Sequence, residues 1–376
     1  MDFTLNETQL MLADSIDKFL ENDYDFERRM QYAGSDQGYS PEVWQTFAEL
    51  GWTAVPFSEE DGGFDGGPAD LMVVMERFGK GLVVEPYLAN IVLAGGVLKR
   101  LASADQKERW LAGIIGGELQ AALAFVEPQA RYDLGDVATT AKPDGDDWIL
   151  DGRKGYVLNG RNADVILVPA RSSGDRHDHD GVTMFAVAKD SDGLEVRDYP
   201  TVDGHQAAEV VLNGVRVPAD SVLGEPGAAA DALAATIDDA TLAVSAEAVG
   251  IMRAMTEKTV DYSKNRVQFG VPIGSFQALQ HRMVDMLTNC EQAGSLLLWA
   301  TMVADAGRDD APQAISALKY KVGTTGRVVG EEAVQLHGGM GVTWELDIAH
   351  YFKRLIAIGQ IFGNADWHID RFAGQA

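Results

Sequence analysis

Cysteine is nearly absent. The 376-residue chain holds one, Cys290, which excludes an intrachain disulfide and any cysteine-based metal cluster. Cationic side chains are scarce: 31 Lys and Arg stand against 57 Asp and Glu, a formal net charge of -26. So acidic a surface repels phosphate backbones and anionic lipid, which argues against nucleic acid or a membrane surface as the main partner. An anionic small molecule can bind only where local basic groups or a helix N-terminus override that field. Long apolar runs are missing too. No stretch approaches the ~20 apolar residues of a spanning helix. The opening MDFTLNETQLML lacks the basic flank and apolar core of a signal peptide. A cytoplasmic protein is expected. The remaining composition is ordinary for a globular chain, 46% hydrophobic and 23% charged. At roughly 150 residues per domain, two or three domains are expected.

Spacing and caps predict helices over the first ~115 residues. Asn6 can cap a helix striped by Leu10, Ile16, Phe19 and Leu20. Ser40-Pro41-Glu42 supplies a capping hydroxyl, a proline at the first helical position and an acid in the first turn; that helix should stop at Gly51. A third should end near Gly79, and Ser103 should cap ADQKERWLAGII. From about Gln120 to Gly224 the segments become short, β-branched and punctuated by DG and NG turn signals. No strand–helix alternation is present, which argues against a parallel nucleotide-binding sheet. From about Ala228 long helices return, as in a four-helix bundle. The expected fold is α+β and multidomain: a helical domain over 1–118, an antiparallel β-barrel or sandwich over 119–226, and a C-terminal four-helix bundle over 227–376.

Most candidate sites reduce to ordinary structure. The GGFDGG run at 62–67 has no preceding strand and no GK[ST], so it fits no phosphate loop and reads as a flexible connection. His177-Asp178-His179-Asp180 lies between two expected strands in a Gly/Ser/Asp-rich stretch. It reads as a solvated hairpin tip, and no metal site is expected. Two segments stand out. In RVQFGVPIGSFQ, Arg266 to Gln277, a guanidinium and an exposed ring flank a Gly-Pro turn; this is either a helix corner or a grip for a pyrophosphate and an adenine. In QLHGGMG, Gln335 to Gly341, three glycines close a helix; they are either a cap or a close backbone approach to a ligand.

The pair of segments, their spacing and the order of helical, β and helical regions resemble the acyl-CoA dehydrogenase family. PEVWQTFAELGW and VPFSEEDGGFDGG extend the resemblance across essentially the whole chain. It implies an FAD flavoenzyme that oxidises acyl-CoA thioesters to 2,3-enoyl-CoA and passes electrons to an accepting flavoprotein. A carboxylate removes the α-proton, and the flavin takes the β-hydride. It also implies that Arg266, Phe269, Gln277, Gln335, Gly338 and Gly339 grip the adenosine diphosphate half of a neighbouring subunit's FAD.

Departures from the family pattern cluster. Where the family writes Thr-Glu-Pro-x-x-Gly-Ser-Asp, this chain has Val126-Glu127-Pro128-Gln129-Ala130-Arg131-Tyr132-Asp133. The flavin-covering Trp becomes Tyr156, and the Thr that bonds the flavin edge becomes Leu158. The base position holds Phe362, and the alternative base position on the first bundle helix holds Ala240. Asp238 and Asp239 are the remaining candidate bases. Asp is one methylene short, and one helix position is a rotation of ~100°. Glu247 is expected to face a helical neighbour. The resemblance therefore implies a subunit of an α2β2 heterotetramer that lacks its own catalytic Glu and completes a homologous partner's FAD site. AFVEPQARYDLGDVATTA and MDF…YDFERR most resemble the small subunit of pimeloyl-CoA dehydrogenase, beside the subunits of heterotetrameric steroid side-chain enzymes. The competing expectations are a self-sufficient homotetramer using Asp238 or Asp239, and a purely structural partner chain.

Overall fold

The structure, a computed structural model, describes residues 4–374; Met1–Phe3 of the MDF opening lie outside the described residues. Contacts divide the chain into two compact units. One joins Met1–Gln31, Gly67–Val83 and Thr241–Ala376; the other joins Tyr32–Gly66 and Val84–Ala240. No helix among the described residues is long and apolar enough to cross a membrane.

Local signals set the helix starts. Helix α1 (Glu7–Asp23) opens with a reciprocal capping box between Asn6 and Gln9. Helix α2 (Phe26–Ala33) follows. Helix α3 (Pro41–Glu49) starts under the Ser40 hydroxyl, which accepts from Val43 N at 3.2 Å. The next turn runs through Gly51 at φ 77, a left-handed position suited to glycine. Helix α4 (Pro68–Gly81) runs two residues past Gly79. A π-helical stretch, Leu88–Ala94, leads into α5 (Gly95–Leu101). Ser103 and Gln106 cap α6 (Ala104–Gln106), which passes through another π turn into α7 (Ala112–Ile115). GGFDGG is not a flexible connection. Gly66 N and Asp65 N each bond back to the 55–57 segment at 2.8 Å. A Cβ on Gly63 or Gly66 would collide with the Phe57 or Val55 carbonyl.

The middle of the chain forms β1 (Ala121–Leu123), β2 (Thr140–Asp144), β3 (Asp147–Leu158), β4 (Val165–Arg171), β5 (Val182–Ala188), β6 (Leu194–Pro200), β7 (Gln206–Pro218) and β8 (Val222–Leu223). They order as β6-β7-β3-β2-β4-β5-β8, with β1 on β4. The sheet is open. Its pairings are antiparallel except that β1 and the start of β2 run parallel to β4. Leu150, Val168, Phe185 and Val210 lie in its buried core. Asp144-Gly145 makes the β2–β3 turn. Asn213-Gly214, expected as a turn, is instead a bulge within β7, where Gly214 N bonds the Asp151 carboxylate at 2.8 Å.

The C-terminal helices are α8 (Ala230–Asn265), then, after the β9 (Val267–Gln268) and β10 (Val271–Pro272) hairpin, α9 (Gln277–Asp305), α10 (Ala311–His337), α11 (Ile348–Ile358) and α12 (Ala365–Phe372). Within the first unit, α4 and α8 cross at reciprocal E-x-x-G segments, Glu76 to Gly79 and Glu247 to Gly250. A Cβ on either glycine would strike the carbonyl of the glutamate opposite. The two glutamates then pair across helices, Glu76 with Arg253 and Glu247 with Arg354 at 2.6 and 2.8 Å. Glu247 faces a helical neighbour, as expected.

Candidate functional site

Arg266, Phe269, Gln277, Gln335, Gly338 and Gly339, from the RVQFGVPIGSFQ and QLHGGMG segments, lie at one end of the bundle. Arg266 N bonds Tyr262 O at 2.8 Å, continuing the last turn of α8. The Tyr262 ring stacks on His337 at the end of α10, with centroids 4.3 Å apart. Helices α9 and α10 run antiparallel, joined by an Arg282–Glu332 pair and by a Lys321–Gln292 hydrogen bond of 2.7 Å. That register sets Gln335 level with the start of α9, near Gln277. Burial pushes the His337 imidazole below its usual pKa.

All six residues are exposed. Arg266 has no ion pair or hydrogen bond to its guanidinium among the described residues. The hairpin turn puts Phe269 at φ 56 and Gly270 at φ 82, the geometry of a primed two-residue turn. A phenylalanine there is strained by roughly 1 kcal/mol. Its ring is 93% exposed and meets Phe276 edge-on at 6.2 Å. Gly338 (φ 61) and Gly339 face open space where a Cβ would project. An unpaired guanidinium, a presented ring, two amides and an uncrowded glycine backbone form a donor set suited to a nucleotide diphosphate.

The substituted positions lie elsewhere and are more tightly bound. In the sheet-containing unit, Gly155 N bonds Val126 O at 2.8 Å, which holds Val126 against the strand that carries Tyr156 and Leu158. Tyr156 sits at φ 47 within a bulge of β3. Neither Val126 nor Leu158 carries a side-chain donor. Sequence reasoning missed what supports this region. Lys154 Nζ, fully buried, bonds Glu127 at 2.6 Å and Pro169 O at 2.7 Å. Glu127 also accepts from Ala138 N at 2.9 Å, Thr139 N at 3.1 Å and Gln129 at 2.8 Å. The only sequence signal is a lysine facing inward in an alternating strand.

Phe362 lies between α11 and α12 at φ 58. His368 Nε2 bonds its carbonyl at 3.0 Å. Buried Lys319 donates to Ile358 O and Gly363 O, both at 2.8 Å. Burial pushes Lys319 down to about 7. Burial, aided by the Lys319 charge, pushes His368 down to about 3. The position is thus held firmly and offers a ring instead of a carboxylate. Ala240 is fully buried. Asp239 is paired with Arg100, and Asp238 is half-buried on the same turn. Around the His177–Asp180 tip, Arg171 binds the carbonyls of Arg176, Asp178 and Asp180, and His179 lies 3.0 Å from Asp231.

Profiles of the acyl-CoA dehydrogenase N-terminal, middle and C-terminal domains match residues 6–118, 122–215 and 230–375. Acyl-CoA dehydrogenase FadE12 of Mycobacterium tuberculosis is 31% identical over 83% of this chain and 81% of its own length. The solved structure of PigA with FAD and proline superposes with a TM-score of 0.93 at 29% identity, covering 100% of this chain and 99% of PigA. A variant of the Tcur3481–Tcur3483 steroid acyl-CoA dehydrogenase superposes with a TM-score of 0.88 at 28% identity, covering 99% of this chain and 98% of that one. This chain belongs to the acyl-CoA dehydrogenase family of FAD-dependent oxidoreductases.

Proposed function

We propose that this chain is one subunit of a heterotetrameric α2β2 acyl-CoA dehydrogenase, completing the FAD site of a homologous partner that supplies the catalytic carboxylate. FAD supplies the hydride-accepting chemistry for α,β-desaturation of the thioester. Arg266 would hold its pyrophosphate, and Phe269, Gln277, Gln335 and the Gly338–Gly339 backbone its adenosine end. A separate electron-accepting flavoprotein would reoxidise it. The three-part division at 118 and 226 and a cytoplasmic location belong to the same proposal, as does a role in lipid or steroid catabolism. The observation that carries it is a contrast. The diphosphate-suited end of the bundle is exposed and unpaired. The base positions hold Phe362 and Ala240, and Asp239 is already paired with Arg100. The two-part name of the solved Tcur3481–Tcur3483 enzyme supports an assembly of two gene products.

The test is to purify the chain alone and co-expressed with a homologous chain, then count FAD per chain and measure desaturation. Activity is expected only in the co-expressed complex, with fewer than one FAD per chain. Arg266→Ala in that complex should lower FAD occupancy, since a charge-assisted bond contributes about 1.5–3 kcal/mol. A single-chain preparation that is fully active with one FAD per chain refutes the proposal.

A further inference from the structure

A cleft of ≈ 370 Å³ opens between α1, α4, α8 and α9. That volume lies in the range of about 300–1,000 Å³ that holds small ligands. All of its lining residues belong to the first compact unit. None of them is a residue of the nucleotide-suited end or of the substituted positions.

The wall is divided. Met72 and Val73 of α4 and Leu297 and Leu298 of α9 form an apolar part. Further along α4, Glu76, Arg77 and Lys80 make the wall charged, joined by Asp17 of α1 and by Arg253 and Glu257 of α8. Val73 to Lys80 is two helical turns, roughly 10 Å, so one small molecule can touch both parts. Gly294 also lines the cleft. A Cβ there would stand 2.7 Å from Arg253 Nη2, so glycine leaves the guanidinium room to reach Glu76.

The charged part is unevenly satisfied. Arg253 closes tightly on Glu76. Asp17 lies 3.6 Å from Arg77 and 3.5 Å from Lys80, too far for hydrogen bonds, whereas Lys258 and Asp347 of the same unit close to 2.8 Å. The side chains of Asp17, Lys80 and Glu257 make no hydrogen bond among the described residues, and Glu257 has no ion pair there. Asp17 Oδ1 and Arg77 Nε are buried without a hydrogen-bond partner, a state that few buried polar atoms keep.

Donors and acceptors are thus both left over beside an apolar wall. A simple anion would meet Asp17 and Glu257, in a chain whose net charge is already -26. A simple cation would meet Arg77 and Lys80. A molecule that carries both charges side by side and is neutral overall avoids both repulsions.

We propose that this cleft binds a free α-amino acid with an apolar side chain. Its carboxylate pairs with Arg77 and Lys80. Its ammonium takes Asp17, within the field of exposed Glu257. Its side chain packs against Met72, Val73, Leu297 and Leu298. The site is separate from the FAD grip and does not depend on the subunit reading.

The test is calorimetric titration of the purified full-length chain with L-leucine, 4-methylpentanoate and 3-methylbutylamine, which keep the same branched tail and carry both charges, only the negative one and only the positive one. L-leucine should bind saturably, and each single-charge analogue at least about tenfold more weakly. Lys80→Met should weaken L-leucine about tenfold to a hundredfold, the range of one charge-assisted bond. Asp17→Asn should weaken L-leucine by a similar factor and strengthen 4-methylpentanoate, because the anion no longer meets a carboxylate. A misfolded variant would lose both ligands, so that opposite movement separates recognition from folding. Both changes touch partly exposed groups and should leave the melting temperature near that of the wild type. No saturable heat with L-leucine overturns the site. Equal affinity for L-leucine and 4-methylpentanoate, or wild-type affinity for L-leucine in both variants, overturns the assignment of an amino acid to it.

Discussion

Replacing Lys154 by methionine is the sharpest test of how the sheet unit supports its substituted positions. Methionine preserves most of the volume and removes the charge. It leaves Glu127, almost wholly inaccessible, with backbone and amide donors but no cation. Breaking a buried pair from one side destabilises by about 3–5 kcal/mol, because the remaining charge stays desolvated. The double variant Glu127→Gln/Lys154→Met should recover part of that loss, since no stranded charge remains, although the single Gln oxygen can accept from Ala138 N or from Thr139 N but not from both. The pH dependence has a definite sign. In the wild type, burial pushes Glu127 up, but Lys154 and the hydrogen bonds outweigh it, so its carboxyl titrates below the usual range. Its contribution is therefore present above the unfolded value of ~4.3 and is lost as pH falls through the lower folded value. Without Lys154, burial dominates and the folded pKa rises. Between ~4.3 and that raised value the variant gains stability as pH falls. The deficit of Lys154→Met, measured by urea unfolding, should shrink from pH 7.5 to pH 5. A deficit below about 1 kcal/mol, the size of an ordinary neutral hydrogen bond, would refute the reasoning, as would a double variant no better than the single.

Three further outcomes follow from the bundle. Gly79→Ala and Gly250→Ala each force a Cβ into a carbonyl of the opposing helix. Each should lower stability by about 1–3 kcal/mol, and thermal melts of the double variant should show less than additive loss, since the first separation relieves the second. Arg354→Met strands Glu247 in the core and should destabilise by about 3–5 kcal/mol, whereas the exposed pair-breaking variant Arg327→Met should stay within about 0.5 kcal/mol of wild type. Burial holds Lys319 at about 7, while an unfolded lysine titrates near ~10.4. Between these values the unfolded chain binds the extra proton, so this group makes stability rise with pH, by at most ~1.4 kcal/mol per pH unit. The stability difference between wild type and Lys319→Met should therefore shift in favour of wild type from pH 7 to pH 9 in urea unfolding. A flat difference would show that Lys319 does not titrate there.

Local chemistry determined much of the architecture. Asn6, Ser40 with Pro41, and Ser103 mark helix starts because a side-chain oxygen followed by an unpaired N–H is a short-range event. The QFGV turn and the three glycines after Leu336 are legible for the same reason, and their spacing brought the family into view. Other features needed the folded chain. Asn213-Gly214 reads as a turn in isolation, but β3 pairs on both sides of it and turns it into a bulge. GGFDGG reads as slack until the 55–57 carbonyls are placed against it. Nothing around Asp239 in the sequence points to Arg100, which lies 139 residues away. Nor does anything local name the partners of Lys154 and Lys319, both buried. Caps and turns are decided by neighbours in sequence. Which charges are neutralised, and which arginines are left over to bind something else, is decided by long-range packing that composition and periodicity do not encode.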